Sequence, residues 1–241
     1  MIPRLLPRFG WSLPLLLVVL SHADEPKPAS REPRASESPQ KVRTLGIVLY
    51  EKFELLDVFG PAEVFGNVGE SVKVVIVAEK AGPIASTQGP RVVADRGFDD
   101  CPALDLLLVP GGIGTLKQLE NEHLIDWLRT KAQSAEIVMS VCSGSAILAK
   151  AGLLDGRRAT CNKQYFHRLT DGYKNVQWVV KARWVEDDKW VTSSGVSAGI
   201  DMSLAVVERL YGKPVAEAIA NGTEHEWHRD SSWDPFAKFV T

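Results

Sequence analysis

Five runs in this chain are too continuously apolar to belong to a sheet with one face in water: 43–50 (RTLGIVLY), 71–79 (SVKVVIVAE), 104–112 (LDLLLVPGG), 136–141 (EIVMSV) and 190–195 (WVTSSG). Strands without polar alternation are buried on both faces, and that requires a mainly parallel sheet covered by helices on each side. Helical spacing of apolar residues follows the runs, over 55–66, 116–135, 143–151 and 198–211. Short strands broken by Gly-Pro turns are expected over 82–95, and mixed short elements over 152–189. Strand and helix in alternation predict a doubly wound α/β fold, in which a ligand binds beyond the carboxyl ends of the strands.

Domain organisation follows from the N-terminus. Arg4 and Arg8 precede an apolar run over 11–20, and Ser21-His22-Ala23 supplies small residues for cleavage, so residues 1–23 are expected to be a secretory signal peptide cut near Ala23. The rival is an uncleaved anchor. Ten apolar residues interrupted by Pro14 are short for a bilayer that needs roughly 20. A secreted or periplasmic protein, with no stable membrane insertion after cleavage, is the expectation. Residues 24–41 are proline, serine and charge, the composition of a disordered linker. Residues 42–241 form one α/β domain, a size that supports a single core. Net charge is −2 with no basic run, which argues against a nucleic-acid partner.

Cys101, Cys142 and Cys161 are too few and too odd in number for a disulfide framework, although a Cys101–Cys161 bridge stays open. Cys142 stands where the strand over 136–141 turns into a helix, flanked by Ser140, Ser143, Gly144 and Ser145. Such small residues permit the sharp turn of a nucleophile elbow. A thiol over a helix N-terminus is expected to titrate below the free value of about 8.5. The plainer alternative is a small buried hydrophobe.

An attacking sulfur needs charge stabilisation and a proton carrier. The turn Pro110-Gly111-Gly112-Ile113-Gly114 offers backbone N–H groups at Gly112 and Ile113 for half an oxyanion hole, with the N–H of Ser143 as the other half. Asp57, set among Leu55, Leu56, Val58 and Phe59, is a candidate acid with a raised pKa, and a helix N-cap is its alternative role. His225 and His228 in EHEWHRD have weak metal-ligand spacing, so no metal is expected; Trp227 and Trp233 are expected to pack the tail, with Trp227 lining the pocket.

The motifs VPGG, SVCSGSAILAKAGLLDGRRAT and SSGVSAGIDMSLAVVERLYG, in this order over about 43–212, resemble the ThiJ/PfpI family of the class I glutamine amidotransferase-like superfamily, and its isonitrile hydratase-like branch most. That resemblance implies a flavodoxin-like sheet, a homodimer, and Cys142 as nucleophile. In the branch an LDxxGP aspartate works beside the cysteine in proton transfer, and Leu56-Asp57-Val58-Phe59-Gly60-Pro61 matches it. Ser143 keeps the hydroxyl that the branch has as threonine after the cysteine. Relatives with protease or glyoxalase activity have histidine there, and many members read Thr-Thr-His where this chain has Thr160-Cys161-Asn162. A Cys-His dyad is therefore not expected, and Cys161 becomes a second thiol near the first.

The resulting expectation is an exported lyase or hydrolase acting on a small electrophilic molecule without a cofactor. Cys142, Asp57 and Ser143 are its catalytic residues, and Gly111, Cys161, Asn162 and Trp227 line its pocket. A non-catalytic ligand-binding or redox-sensing domain with an oxidisable cysteine is the alternative.

Overall fold

The first apolar run forms strand β1 (Arg43–Val48), whose last four residues are buried, and it leads into helix α1 (Leu55–Gly66). The computed structural model describes residues 41–240. The expected signal peptide and all of the linker except Lys41 lie outside the described residues. Lys41 itself pairs with Asp105 at 2.6 Å beside β1.

The remaining strands are β2 (Val72–Val77), β3 (Gly82–Ala85), β4 (Arg91–Ala94), β5 (Leu106–Val109), β6 (Ile137–Ser140), β7 (Arg158–Ala159), β8 (Gln177–Trp178), β9 (Trp184–Asp187) and β10 (Trp190–Ser193). Six of them make the central sheet, in the order β2-β1-β5-β6-β10-β9. All neighbours pair in parallel except β9, which runs antiparallel to β10 at the edge. β3 and β4, the short strands expected over 82–95, pair antiparallel as a hairpin apart from this sheet. Every residue of β5, β6 and β10 is buried, as two covered faces demand.

The helices after α1 are α2 (Thr115–Gln118), α3 (Glu122–Ser134), α4 (Gly144–Lys150), α5 (Phe166–Thr170), α6 (Ala198–Tyr211) and α7 (Lys213–Gly222). The chain steps from β1 to β2 in one direction and from β5 to β6 in the other. Because parallel crossovers are right-handed, the helices between them fall on opposite faces. Strand order reverses between β1 and β5, and that switch point places a cleft over their carboxyl ends.

Two expectations are corrected. The single helix over 116–135 is two helices: the chain breaks at Leu119–Asn121, where the Asn121 side chain accepts a hydrogen bond from Leu124 N at 3.2 Å and caps α3. Beyond Tyr211, Gly212 adopts φ 91° and a further helix, α7, begins with Pro214 in its first turn, which periodicity had not indicated.

One buried ion pair ties the tail to this frame. Asp201, fully buried on α6, accepts from Arg183 Nε at 2.5 Å and from His228 N at 3.1 Å, and its Oδ1 lies 2.9 Å from His225 Nε2. Removing one side of a buried pair leaves the other charge uncompensated. Asp201→Ala is expected to lower the unfolding free energy by about 3–5 kcal/mol in urea titration; a loss below about 1 kcal/mol, the range of exposed pairs, would contradict this role.

Candidate active site

β6 ends at Ser140, and the chain bends into α4 through Val141, Cys142 and Ser143. Cys142 has φ 57°, a left-handed conformation that costs a side-chain-bearing residue about 1–2 kcal/mol. Strain of this kind persists only where the surroundings impose it, and it concentrates at functional sites. Here they impose it through two glycines. A Cβ on Gly144 would overlap the Val109 carbonyl oxygen, and one on Gly111 would lie 2.6 Å from Ser143 N and 2.9 Å from Cys142 Cβ. The turns after β5 and β6 therefore touch backbone to backbone.

Gly111 also reaches the other way. Its N–H donates to Asp57 Oδ2 at 2.8 Å, and its carbonyl accepts from Glu54 N at 2.8 Å. Asp57 is wholly buried, and its Oδ1 has no partner among the described residues. Glu54, not Asp57, occupies the N-cap position of α1, so capping is not the aspartate's role. Burial pushes the Asp57 carboxyl well above the usual carboxylate range; the Gly111 hydrogen bond opposes this, and nearby Glu54 adds to it. The expected raised acid is in place.

The expected low thiol pKa is not. Burial pushes the Cys142 thiol well above its ordinary value, and the Asp57 charge and Cys161 push it further; hydrogen bonds from Ser143 N–H and the Asn162 side chain oppose them. α4 has only seven residues and starts beyond Ser143, so its dipole is a minor influence against desolvation and a carboxylate.

Other expected residues divide. Cys142, Ser143, Asn162, Gly112 and Ile113 line a cavity of about 470 Å³ together with Thr115 and Leu116. Gly112 does not present its N–H to that space, because the group donates to Ser143 Oγ at 3.1 Å. Tyr50 OH donates to the Pro110 carbonyl at 2.7 Å and lies 3.0 Å from Thr115 Oγ1, which is 2.8 Å from Ser143 Oγ. With the tyrosine proton committed, each hydroxyl passes its own along the chain from Ser143 to Thr115 to Tyr50. Ser143 is thus locked in place. Its backbone N–H, with the Asn162 amide, is what faces the sulfur.

Three residues expected at the pocket wall lie off it. Gly111 sits behind Cys142, where a side chain has no room. Cys161 is fully buried beneath the elbow, its Sγ donating to the Cys142 carbonyl at 3.5 Å, and burial pushes its thiol up to about 11. Trp227 stacks under the Arg229 guanidinium at 4.0 Å, because Asp201 draws the tail toward α6 instead of the cleft. All three cysteines are free. His225 is engaged by Asp201, and among the described residues no group of three or more His, Cys, Asp or Glu side chains forms a metal-binding cluster.

Sequence reasoning missed Tyr50 and Thr115, which have no local motif. It also missed Lys163, buried 3.4 Å from Asp234 Oδ2, with Nζ donating to Thr160 Oγ1 and to the Cys161 carbonyl. That pair anchors the loop presenting Asn162 to the thiol. Asn162 Oδ1 accepts from Gln164 N and Tyr165 N, which turns its amide nitrogen toward Cys142.

A doubly wound α/β sheet with a free cysteine at a strained strand-to-helix turn over a cavity defines a cysteine-elbow protein. The chain belongs to the DJ-1/PfpI family, whose model matches residues 43–209. It is 36% identical over 175 residues to the isonitrile hydratase of Pseudomonas putida, covering 73% of this chain and 75% of that protein. It is 30% identical over 135 residues to the HTH-type transcriptional regulator GbdR of Pseudomonas aeruginosa, covering 56% of this chain and only 36% of the regulator. The crystal structure of a ThiJ/PfpI family protein from Pseudomonas syringae superposes with a TM-score of 0.73 at 30% identity, covering 85% of this chain and 83% of that one.

The glycine contacts are directly testable. Gly111→Ala is expected to destabilise the domain by about 1–3 kcal/mol through overpacking and to slow labelling of Cys142 by iodoacetamide. Gly222→Ala, where a Cβ meets nothing within 4 Å, is its control. Equal stability and labelling in the two variants would show that the turns need no backbone contact.

Proposed function

We propose that this protein is a hydratase of the isonitrile hydratase type, with Cys142 as nucleophile and Asp57 as proton carrier. The observation that carries this reading is the buried Asp57 carboxyl, with one free oxygen, held through Gly111 against a thiol that opens onto a cavity. Similarity to the Pseudomonas putida enzyme over most of both chains supports it.

The chemistry balances with water as the only co-reactant. Sulfur bonds to the terminal isonitrile carbon as the Asp57 carboxyl gives its proton to that carbon and takes the thiol proton in exchange, which gives a thioimidate and leaves Asp57 protonated as before. Water then adds to the carbon, the carbon–sulfur bond breaks, and the thiol regains a proton. One isonitrile and one water become one formamide. A raised carboxyl pKa suits a group that must hold a proton at neutral pH. The elevated thiol pKa means that the thiolate forms only as the proton leaves, when Ser143 N–H and the Asn162 amide stabilise its charge.

A second reading, a ligand-binding domain without turnover, is favoured by one observation: burial keeps the Cys142 thiol neutral at rest, which equally disfavours its oxidation as a redox sensor. We further propose that the protein is exported, on the strength of the leader-like residues 1–23, and that it is a homodimer, for which Leu56 and Phe59 of α1, 41% and 45% exposed, offer an apolar face.

Purified protein incubated with an alkyl isonitrile is expected to yield the formamide by NMR. Cys142→Ser abolishes this, and Asp57→Asn slows it by about 10²–10⁴-fold, the usual scale of positioned proton transfer. Absence of formamide from protein whose Cys142 is reduced and alkylatable would end the hydratase reading in favour of the second.

A further inference from the structure

The cavity beside Cys142 is electrically polarised. Among the described residues, Arg168, on α5, is the one arginine or lysine on its wall, and Glu54, just before α1, is the one carboxylate. They belong to different walls. Glu54 N is bonded to Gly111 in the turn after β5, whereas α5 follows the loop of Asn162, the residue whose amide faces the thiol. Cys142 lies between, with Cβ against Gly111 and Sγ toward Asn162 and Gly195.

The two charges are not equally engaged. Glu54 Oε1 accepts from Gln88 Nε2 at 2.5 Å. Arg43, Arg129, Arg157, Arg183, Arg209 and Arg229 each pair with a carboxylate. The Arg168 side chain, exposed at the cavity, has no ion pair or hydrogen bond among the described residues; Arg91 and Arg158 share this but lie off the cavity. A guanidinium presents a planar fork matched to a carboxylate, and an uncharged ligand would leave it unused. The same wall carries apolar Ile113, Leu116, Leu169 and Val196 beside polar Thr87 and Gln164.

We infer that the substrate carries a carboxylate, received by Arg168, on a short apolar body whose electrophilic carbon faces Cys142. This deepens the proposed function and rests on it: the substrate class becomes an isonitrile bearing a carboxylate. Glu54 repels an anion from the other wall and so fixes which way the molecule enters.

Two alkylating probes test the charge preference without any turnover. Iodoacetate and iodoacetamide transfer nearly the same arm to sulfur with loss of iodide and differ in charge. The ratio of their rates at Cys142, read by mass spectrometry, cancels changes in thiol reactivity. In Arg168→Ala the iodoacetate to iodoacetamide ratio is expected to fall about threefold to fivefold, the scale of a partly solvated charge pair. It is expected to persist in Arg168→Lys, to rise in Glu54→Gln, and to lose its dependence on Arg168 at high salt. An unchanged ratio in Arg168→Ala would overturn the carboxylate assignment and leave Cys142 as an accessible nucleophile. If neither probe labels Cys142 while Cys101 is labelled, both the substrate class and the proposed function fall.

Discussion

The site depends on the peptide of Gly111. Its N–H holds the buried Asp57 carboxylate oxygen, its carbonyl holds the backbone of Glu54, and its missing side chain lets the Cys142 turn close over it. Three strand ends, those of β1, β5 and β6, are joined at one residue. A parallel sheet brings these ends to the same edge, and the reversal of strand order between β1 and β5 opens the space above them. The strained Cys142 backbone, at φ 57°, lies where these turns press together.

The same closeness sets the electrostatics. A cysteine before a helix suggests a stabilised thiolate, but dehydration and a neighbouring carboxylate outweigh a seven-residue helix. Asp57 and Cys142 both favour their neutral forms at rest, each because burial penalises charge. A pair of this kind acts by exchanging a proton when a reactant arrives. Positioned donors, Ser143 N–H and the Asn162 amide, take up the charge. The buried Lys163–Asp234 pair matters to this arrangement although it is remote from the reacting atoms, because it fixes the loop that carries Asn162.

Much of the fold was legible because buried parallel strands show as unbroken apolar runs, and the elbow showed as a cysteine among small residues at the end of one. The break between α2 and α3 did not show, since apolar spacing continues across Leu119–Asn121 and only the Asn121 cap interrupts it. Asp57 was legible as a charge stranded in an apolar helix. Tyr50, Thr115 and Arg168 were not, because each is ordinary in its local sequence and reaches the site through tertiary packing alone. The tail misled for a similar reason: Trp227 looked like a pocket wall, but the path of that segment is set by acid partners, Asp201 holding it to α6 and Asp234 holding Lys163.

The most direct test of the coupled pair is the pH dependence of Cys142 alkylation by iodoacetamide, with Cys101 and Cys161 replaced by serine, in the presence and absence of Asp57→Asn. Asparagine keeps an oxygen for the Gly111 N–H and removes the charge. The wild-type midpoint is predicted above the free thiol value of about 8.5, and it is predicted to move down in Asp57→Asn because a negative neighbour has been neutralised. A wild-type midpoint below the free value, or one that does not move with Asp57, would contradict the account.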